Sequence, residues 1–149
     1  MDKSIKLKII LEISKIDKLL DKSTVLFSKC NMAEPDFVEL NAIGSILHSY
    51  YCGLESIFNL IYKSIYTKTL SGNTWHSDLL ADMFEKNDKH IQILSDELFQ
   101  PLKEYLGFRH VFRHAYGYEL DWKRLKPLFS ILTDNWTEVK NCFNKFIAE

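Results

Sequence analysis

The hydrophobic positions of this chain recur at helical spacing along most of its length. In the first segment, apolar residues from Ile5 to Phe27 recur at intervals of three, four or seven, while Lys and Asp fill the opposite face. This spacing places the apolar residues on one side of an amphipathic helix. No segment alternates apolar and polar residues convincingly, as a half-buried strand would. The pattern therefore predicts an all-α protein.

The second predicted helix has Pro35 in its first turn, where the missing N–H of proline would be unpaired in any case. Its apolar residues from Ile43 to Ile65 cover so broad a surface that we expect it to be the central helix. Ser, Gly, Asn and Thr crowd together in TKTLSGNTW, which predicts a loop. A third helix is predicted over HSDLLADMFEK, with Ser77 or Asp78 near its N-cap.

The fourth predicted helix begins near His90 and continues through HAY at residues 114–116. We expect a bend or a restart near Pro101, and a weak point at Gly107. A last helix follows, and we expect it to start or kink near Pro127. The economical fold is an antiparallel bundle of about five helices, formed as one domain by residues 1–149.

Composition narrows the functional classes. Apolar residues make up 46% and charged residues 26% of the 149, the balance of a soluble globular protein. The net charge of −1 excludes a general electrostatic attraction to nucleic acid, so any attraction to phosphate must be local. The N-terminal segment interleaves Lys and Glu with its isoleucines, unlike a signal peptide. The longest apolar segment is interrupted by polar residues that a membrane span tolerates poorly. Three distant cysteines suit reduced thiols, so we expect a cytoplasmic protein.

The segment FRHVFRHAYGYEL, residues 108–120, concentrates positive charge. Two guanidinium groups and two imidazoles fall within six positions, with no carboxylate among them. A solvated helix face ordinarily mixes both signs, as KIDKLLDKS does near the N-terminus. With Arg109 as the reference on a regular helix, the other polar groups lie at about 40° (Arg113), about 100° (His110), about 140° (His114) and about 340° (Tyr116).

Arg109 and His114 would not readily converge on one small atom, because they are also about 7.5 Å apart along the helix axis. Two arrangements could bring them together. A backbone distortion at Gly107 could swing Arg109 inward. Alternatively, a two-fold contact could place His114 of one copy beside Arg109 of the other.

The chemistry of this residue set points to RNA. An imidazole gives or takes a proton near neutral pH, since its reference pKa is about 6.5. A guanidinium stays charged and binds phosphate oxygens through paired N–H groups. An imidazole base could take the proton of a ribose 2′-hydroxyl, which then attacks its own phosphate while arginine stabilises the developing charge. Such a site needs no metal or other cofactor and leaves a cyclic phosphate, whereas DNA lacks the reacting hydroxyl.

The sequence Arg109, four residues, then His114, Ala115 and Tyr116 resembles the Arg-x4-His-x-Tyr signature of HepT-type toxins, members of the HEPN superfamily. His110 also fits, because that superfamily favours a polar residue directly after the arginine. The wider phrase FRHVFRHAYGYELDW, with WHSDLL upstream, is similar to the HepT-like ribonuclease branch. The resemblance implies a HEPN-like helical domain.

The resemblance also implies a metal-independent endoribonuclease toxin that forms a homodimer, with Arg109 and His114 as the catalytic pair in the subunit cleft. Its implied partner is a minimal nucleotidyltransferase antitoxin, which transfers AMP from ATP to the motif tyrosine. Tyr116 takes that position here, and the adduct would add negative charge and bulk where RNA binds. Arg113 is a second arginine inside the motif, and Tyr118 is a second nearby hydroxyl, so individual roles stay open.

The two histidines of the motif have other interpretations. With Arg113, His110 is expected to support the binding of RNA phosphates. His110 and His114 are four apart and could in principle hold a metal, but no third ligand lies at a suggestive spacing. The basic face could also belong to a non-catalytic helical module that holds a nucleotidyltransferase or a nucleotide.

Glu55 and Trp75, both outside the motif, have two interpretations each. Glu55 lies in an apolar segment, either as a buried partner of Arg109 or Arg113 or at an exposed edge. Trp75 and His76 could stack on a base from their loop, although we expect the tryptophan to be anchored in the core.

Overall fold

Across the residues that the structure describes, 1–87, 89 and 91–149, this computed structural model contains seven α-helices, two short 3₁₀ helices and no strand. The all-α expectation is confirmed, while the helix count exceeds the predicted five because two predicted helices are divided. The α-helices are α1 (Lys3–Lys22), α2 (Thr24–Met32), α3 (Phe37–Tyr66), α4 (Trp75–Asp82), α5 (Phe99–His114), α6 (Trp122–Ser130) and α7 (Leu132–Ala148), and the 3₁₀ helices are Asp96–Leu98 and Gly117–Glu119.

Both divided helices break at a single residue within one continuous apolar pattern. Ser23 separates α1 from α2, and its buried hydroxyl donates to a carbonyl one turn back in α1 at 2.7 Å. Ile131 separates α6 from α7. The predicted start near Pro127 is wrong. The α6 helix already begins at Trp122, under the side-chain cap of Asp121, and continues through the proline.

The start of α3 is set by a capping box. The Asp36 side chain accepts from the Glu39 N–H at 2.8 Å, and the Glu39 side chain accepts from the Asp36 N–H at 3.2 Å. These two bonds satisfy N–H groups that have no partner within the helix. The helix begins at Phe37, so Pro35 precedes the cap and does not lie in the first turn as predicted.

The third predicted helix corresponds to α4, and it begins earlier than expected. Its N-cap is Thr74, so the predicted capping residues Ser77 and Asp78 both lie inside α4. The Thr74 hydroxyl donates to the Asp78 carboxylate at 2.9 Å. The shift places Trp75 and His76 in the first turn of a helix and not in a loop.

The helix that carries the motif is shorter and more regular than predicted. The predicted start near His90 lies outside the described residues, and residues 91–95 are not helical. The α5 helix begins at Phe99, and Pro101 fits into its first turn without breaking it. The start at Phe99 agrees with the expected restart near Pro101, whereas the expected weak point at Gly107 does not interrupt α5, which continues to His114.

The central position expected for α3 is confirmed. This helix packs against α1, α4, α5 and α6. Buried hydroxyls attach it and α5 to the C-terminal helices. Tyr50 of α3 donates to the side-chain carbonyl of Asn135 at 2.6 Å, and Tyr105 of α5 donates to the Leu128 carbonyl at 2.6 Å. No helix in the described ranges has both the length and the apolar character that a membrane crossing requires.

Candidate nucleic-acid site

The part of the motif from Arg109 to His114 occupies the end of α5. His110, Arg113 and His114, hereafter the cationic turn, are exposed there. The two imidazole rings meet edge to face, with centroids 5.1 Å apart and an angle of 65° between the planes. A cation near a helix C-terminus interacts favourably with the helix dipole, so the position of Arg113 has a structural explanation as well. The cationic turn is accessible to a polyanion.

Because α5 ends at His114, the predicted helical position of Tyr116 is wrong. Ala115 adopts extended backbone angles (φ −95°, ψ 145°), and the chain then enters the 3₁₀ helix Gly117–Glu119. The side chains of Tyr116 and Tyr118 are 69% and 73% exposed, and their rings are parallel within 4°, with centroids 5.6 Å apart. Both hydroxyl-bearing rings therefore project from the segment that follows the cationic turn.

Close packing against the start of α3 sets the path of this segment. A Cβ at Gly117 would overlap the side-chain oxygen of Asn41, whose amide donates to a carbonyl in the first turn of α3 at 2.8 Å. One turn further along α3, the absence of a side chain at Gly44 leaves room for Phe112 and Leu120. The first turns of α3 thus support the tyrosine-bearing segment.

The predicted catalytic arginine points away from the other motif side chains. The Arg109 side chain is only 13% exposed, and its Nη2 lies 3.5 Å from Oε1 of Glu55, which is itself 8% exposed. The Nε atom of Arg109 is buried and makes no hydrogen bond within the described residues. Of the two interpretations of Glu55, the structure therefore shows the buried partner, and the partner is Arg109 and not Arg113.

The second oxygen of this carboxylate is held by α4. Oε2 of Glu55 accepts a hydrogen bond at 2.7 Å from Nδ1 of His76. A carboxylate can only accept, so Nδ1 carries the proton in this contact. The ring of Trp75 stacks on that imidazole, with centroids 3.6 Å apart and an angle of 32° between the planes, and Trp75 packs against the core. The chain of contacts runs from Trp75 through His76 and Glu55 to Arg109.

The single chain does not bring Arg109 and His114 together by distorting its backbone. The α5 helix is continuous through Gly107, so the angle of roughly 140° that a regular helix places between the two side chains still applies. The guanidinium of Arg109 contacts the carboxylate of Glu55, and the imidazole of His114 is exposed at the end of the helix. The chain therefore does not show the first of the two arrangements considered above, a backbone distortion at Gly107.

The sequence reasoning missed a histidine beside this site. His48 of α3 lies on the same helix face as Glu55, two turns earlier, and its ring packs on Phe112 with centroids 4.8 Å apart. Burial lowers the pKa of His48, and the nearby charges of Arg109 and Arg113 lower it further, against an opposing effect of Glu55. The available signal was the spacing of seven between two polar residues on an otherwise apolar face.

A buried tyrosine completes the surroundings of the ion pair. Tyr51 is fully buried, and its hydroxyl makes no hydrogen bond within the described residues. Burial raises the pKa of Tyr51, and the neighbouring carboxylate of Glu55 raises it further. The hydroxyl therefore stays protonated. Within the same described ranges, no three His, Cys, Asp or Glu side chains are grouped so that they could hold a metal ion.

Comparison with known proteins identifies the family. A family described as HepT-like protein matches residues 42–149, a range that contains the cationic turn, Tyr116, Glu55 and His76. No curated protein and no solved structure matches the chain significantly. The family match covers well over half of the 149 residues and agrees with the all-helical architecture. The chain therefore belongs to the family of HepT-like proteins.

Proposed function

We propose that this protein is a metal-independent endoribonuclease, the toxin of a toxin–antitoxin pair. The observation that carries the proposal is the exposed cationic turn at the end of α5, inside the region that matches HepT-like proteins. It combines titratable imidazoles with a permanent cation in a chain whose net charge is −1. Attraction of RNA is thus confined to the place where the proposed chemistry occurs.

In the proposed reaction His114 takes the proton of a ribose 2′-hydroxyl, and the 2′-oxygen attacks the adjacent phosphorus. The bond from phosphorus to the 5′-oxygen of the next nucleotide breaks, and that oxygen receives a proton from an imidazolium. The products are a 2′,3′-cyclic phosphate and a 5′-hydroxyl, so no water is consumed. Arg109 stabilises the charge on the phosphorane, while His110 and Arg113 bind neighbouring phosphates.

The proposal requires a homodimer, because Arg109 and His114 lie on different sides of a regular α5. In a two-fold contact each residue pair occurs twice. Arg109 of each copy would therefore lie beside His114 of the other copy, and both pairs would line one cleft. Val111, which is 49% exposed on α5, and the exposed Tyr116 and Tyr118 offer apolar surface beside the charged groups. Such surface suits a contact between two copies.

The proposed antitoxin is a minimal nucleotidyltransferase that transfers AMP to Tyr116. The exposure of this tyrosine beyond the helix end supports access by a second enzyme. An AMP group there would place negative charge and bulk beside the cationic turn and would exclude RNA. Tyr118 is equally exposed and is the alternative acceptor.

RNA cleavage by the purified protein tests the catalytic proposal. We expect His114→Ala and Arg109→Ala each to lower the cleavage rate by about 100-fold or more, the typical contribution of a general base or of a charge-stabilising group. Lys145→Ala, which removes an exposed cation from α7, is the control and should retain the wild-type rate. Chelators should have no effect, and the products should carry cyclic phosphates. Equal cleavage by wild type and His114→Ala would refute the proposal.

Mass spectrometry after co-expression with a candidate minimal nucleotidyltransferase antitoxin tests the modification. We expect a mass increase of AMP size on the wild-type chain, its loss in Tyr116→Phe and its retention in Tyr118→Phe. Retention in Tyr116→Phe together with loss in Tyr118→Phe would move the acceptor to the second tyrosine. An unmodified wild-type chain in the presence of active enzyme and ATP would exclude this form of neutralisation.

A non-catalytic role is the second candidate, and one contact favours it. The ion pair with Glu55 already compensates the charge of Arg109 within the single chain, which leaves less of that charge for RNA. Under this alternative the cationic turn holds a nucleotidyltransferase or a nucleotide. Stoichiometric binding of that partner, with no RNA cleavage by the dimer, would support the binding module and exclude the enzyme.

A further inference from the structure

Two residues outside the motif, Glu55 and His76, are linked to Arg109 by polar contacts. Glu55 comes from the middle of α3 and His76 from the first turn of α4, so three helices meet at one carboxylate. The carboxylate divides its oxygens, with Oε2 on the imidazole at 2.7 Å and Oε1 on the guanidinium at 3.5 Å. All three side chains are mostly buried, at 8%, 23% and 13% exposure for Glu55, His76 and Arg109.

A buried carboxylate on an apolar helix face calls for a reason, because removal of a charge from water is costly and apolar replacements are often equally stable. Glu55 lies between Leu54 and Ile57, both fully buried. Stability alone would be served by another apolar side chain at this position. The burial of Glu55 therefore points to a role other than stability.

We propose that Glu55, held in place by His76, is a positioning residue that fixes the guanidinium of Arg109 for the scissile phosphate. The inference rests on the proposed function, and it extends the site from α5 to α3 and α4. An unrestrained arginine has many rotamers, and catalysis by a cation depends on a fixed position relative to the phosphate. Glu55 contacts one terminal nitrogen of the guanidinium, Nη2, at 3.5 Å.

The carboxylate itself is oriented by α4. Rotation of its terminal bond would break the short contact to His76, and the stacked ring of Trp75 restrains that imidazole. Each side chain is therefore positioned by the one before it in the series Trp75, His76, Glu55, Arg109. It predicts that loss of the carboxylate affects the arginine more than loss of the imidazole does.

Steady-state cleavage of a short RNA by the full-length dimer tests the proposal. We expect Glu55→Gln, which keeps the shape and removes the charge, to lower kcat by about tenfold or more with little change in KM, since misplacement of a catalytic group by about 1 Å can cost on the order of 100-fold. His76→Phe keeps a ring against Trp75 and should give a smaller loss of kcat. The control is Glu138→Gln, an exposed carboxylate on α7, with wild-type kinetics.

A second readout does not depend on activity. The chain has three arginines, so the Nε–Hε signals of Arg109, Arg113 and Arg124 can be assigned by substitution. The buried Nε of Arg109 should exchange its proton with water more slowly than the other two, which are exposed. In Glu55→Gln we expect this exchange to accelerate about tenfold or more, because the side chain is released from its restraint. Glu138→Gln should leave it unchanged.

The outcomes separate the inference from the proposed function. If the wild-type protein fails to cut RNA, the proposed function fails, and the exchange rate of Arg109 alone decides whether Glu55 restrains it. Wild-type kcat in Glu55→Gln, with a folded protein and unchanged exchange at Arg109, would overturn the inference. If Glu55→Gln does not fold, the decision passes to His76→Phe, for which wild-type kcat and wild-type exchange would have the same meaning.

Discussion

Replacement of Gly107 by alanine tests whether α5 is the regular helix on which the site geometry depends. Gly107 lies inside α5 and is exposed, and a Cβ there would meet no atom within 4 Å. Alanine exceeds glycine in helix propensity by about 1 kcal/mol, and such replacements at compatible sites stabilise proteins by about 0.4–1 kcal/mol. We expect Gly107→Ala to raise the free energy of unfolding by about that amount, and Tm by about 1–4 °C.

Urea denaturation followed by circular dichroism measures this change, with a higher midpoint and an unchanged m-value as the expected result. Gly44→Ala is the matched comparison. It has the same gain in propensity, but its Cβ would lie 3.0 Å from Cδ1 of Leu120 and 3.1 Å from Cε2 of Phe112. Overpacking costs about 1–3 kcal/mol, so this variant should fall at or below wild type. A destabilised Gly107→Ala, or an equal stabilisation by both variants, would refute the reasoning.

The Gly107→Ala variant also tests how Arg109 and His114 come together for RNA cleavage. If a distorted backbone at Gly107 had to swing Arg109 toward His114, alanine would oppose the distortion and lower the rate. In the two-fold arrangement α5 stays regular, and Gly107→Ala should cleave RNA at the wild-type rate. A large loss of activity in a stabilised protein would therefore restore the distortion as the mechanism of convergence.

Two substitutions test the surroundings of the site. Tyr50→Phe removes the donor of a 2.6 Å hydrogen bond to buried Asn135, and urea denaturation should show a loss of about 1–3 kcal/mol, whereas an unchanged midpoint would mean that the bond contributes nothing. His48→Gln tests the pKa of His48, which folding lowers below 6.5. As the pH falls below that value, the unfolded chain takes up the proton before the folded chain does, so the wild type should lose stability relative to the variant. Parallel profiles of stability against pH for the two proteins would contradict the lowered pKa.

The periodicity of the sequence was sufficient for the fold class but not for the helix boundaries. A hydrophobic stripe keeps its spacing across a one-residue break, so the turns at Ser23 and Ile131 have no signal in the apolar pattern. Proline misled in a different way. Pro127 was expected to begin or kink a helix, yet it lies inside α6, which ends three residues later at Ser130. Helix ends depend on caps and tertiary packing that a periodic pattern does not contain.

The residues of the cationic turn could be predicted because they are adjacent in the sequence and their exposure follows from helical geometry. Tyr116 could not, because its departure from the helix depends on the fit of Gly117 against Asn41 of another helix. Periodic extrapolation therefore failed at the residue for which modification is proposed. Tyr116 is nevertheless exposed, which is consistent with its proposed role as the acceptor of an AMP group from a second enzyme.

Glu55 shows where stronger reasoning from the sequence was possible. A single carboxylate on the apolar face of a central helix must find a partner or remain protonated, since an isolated buried charge is too costly. Its partners, Arg109 and His76, are distant in the sequence, and only the packing of α3 against α4 and α5 selects them. The same packing divides the motif. Arg109 is directed inward to the carboxylate, whereas His114 is exposed at the end of α5 beside His110. In the homodimer proposed above, a two-fold axis would place Arg109 of one copy beside His114 of the other.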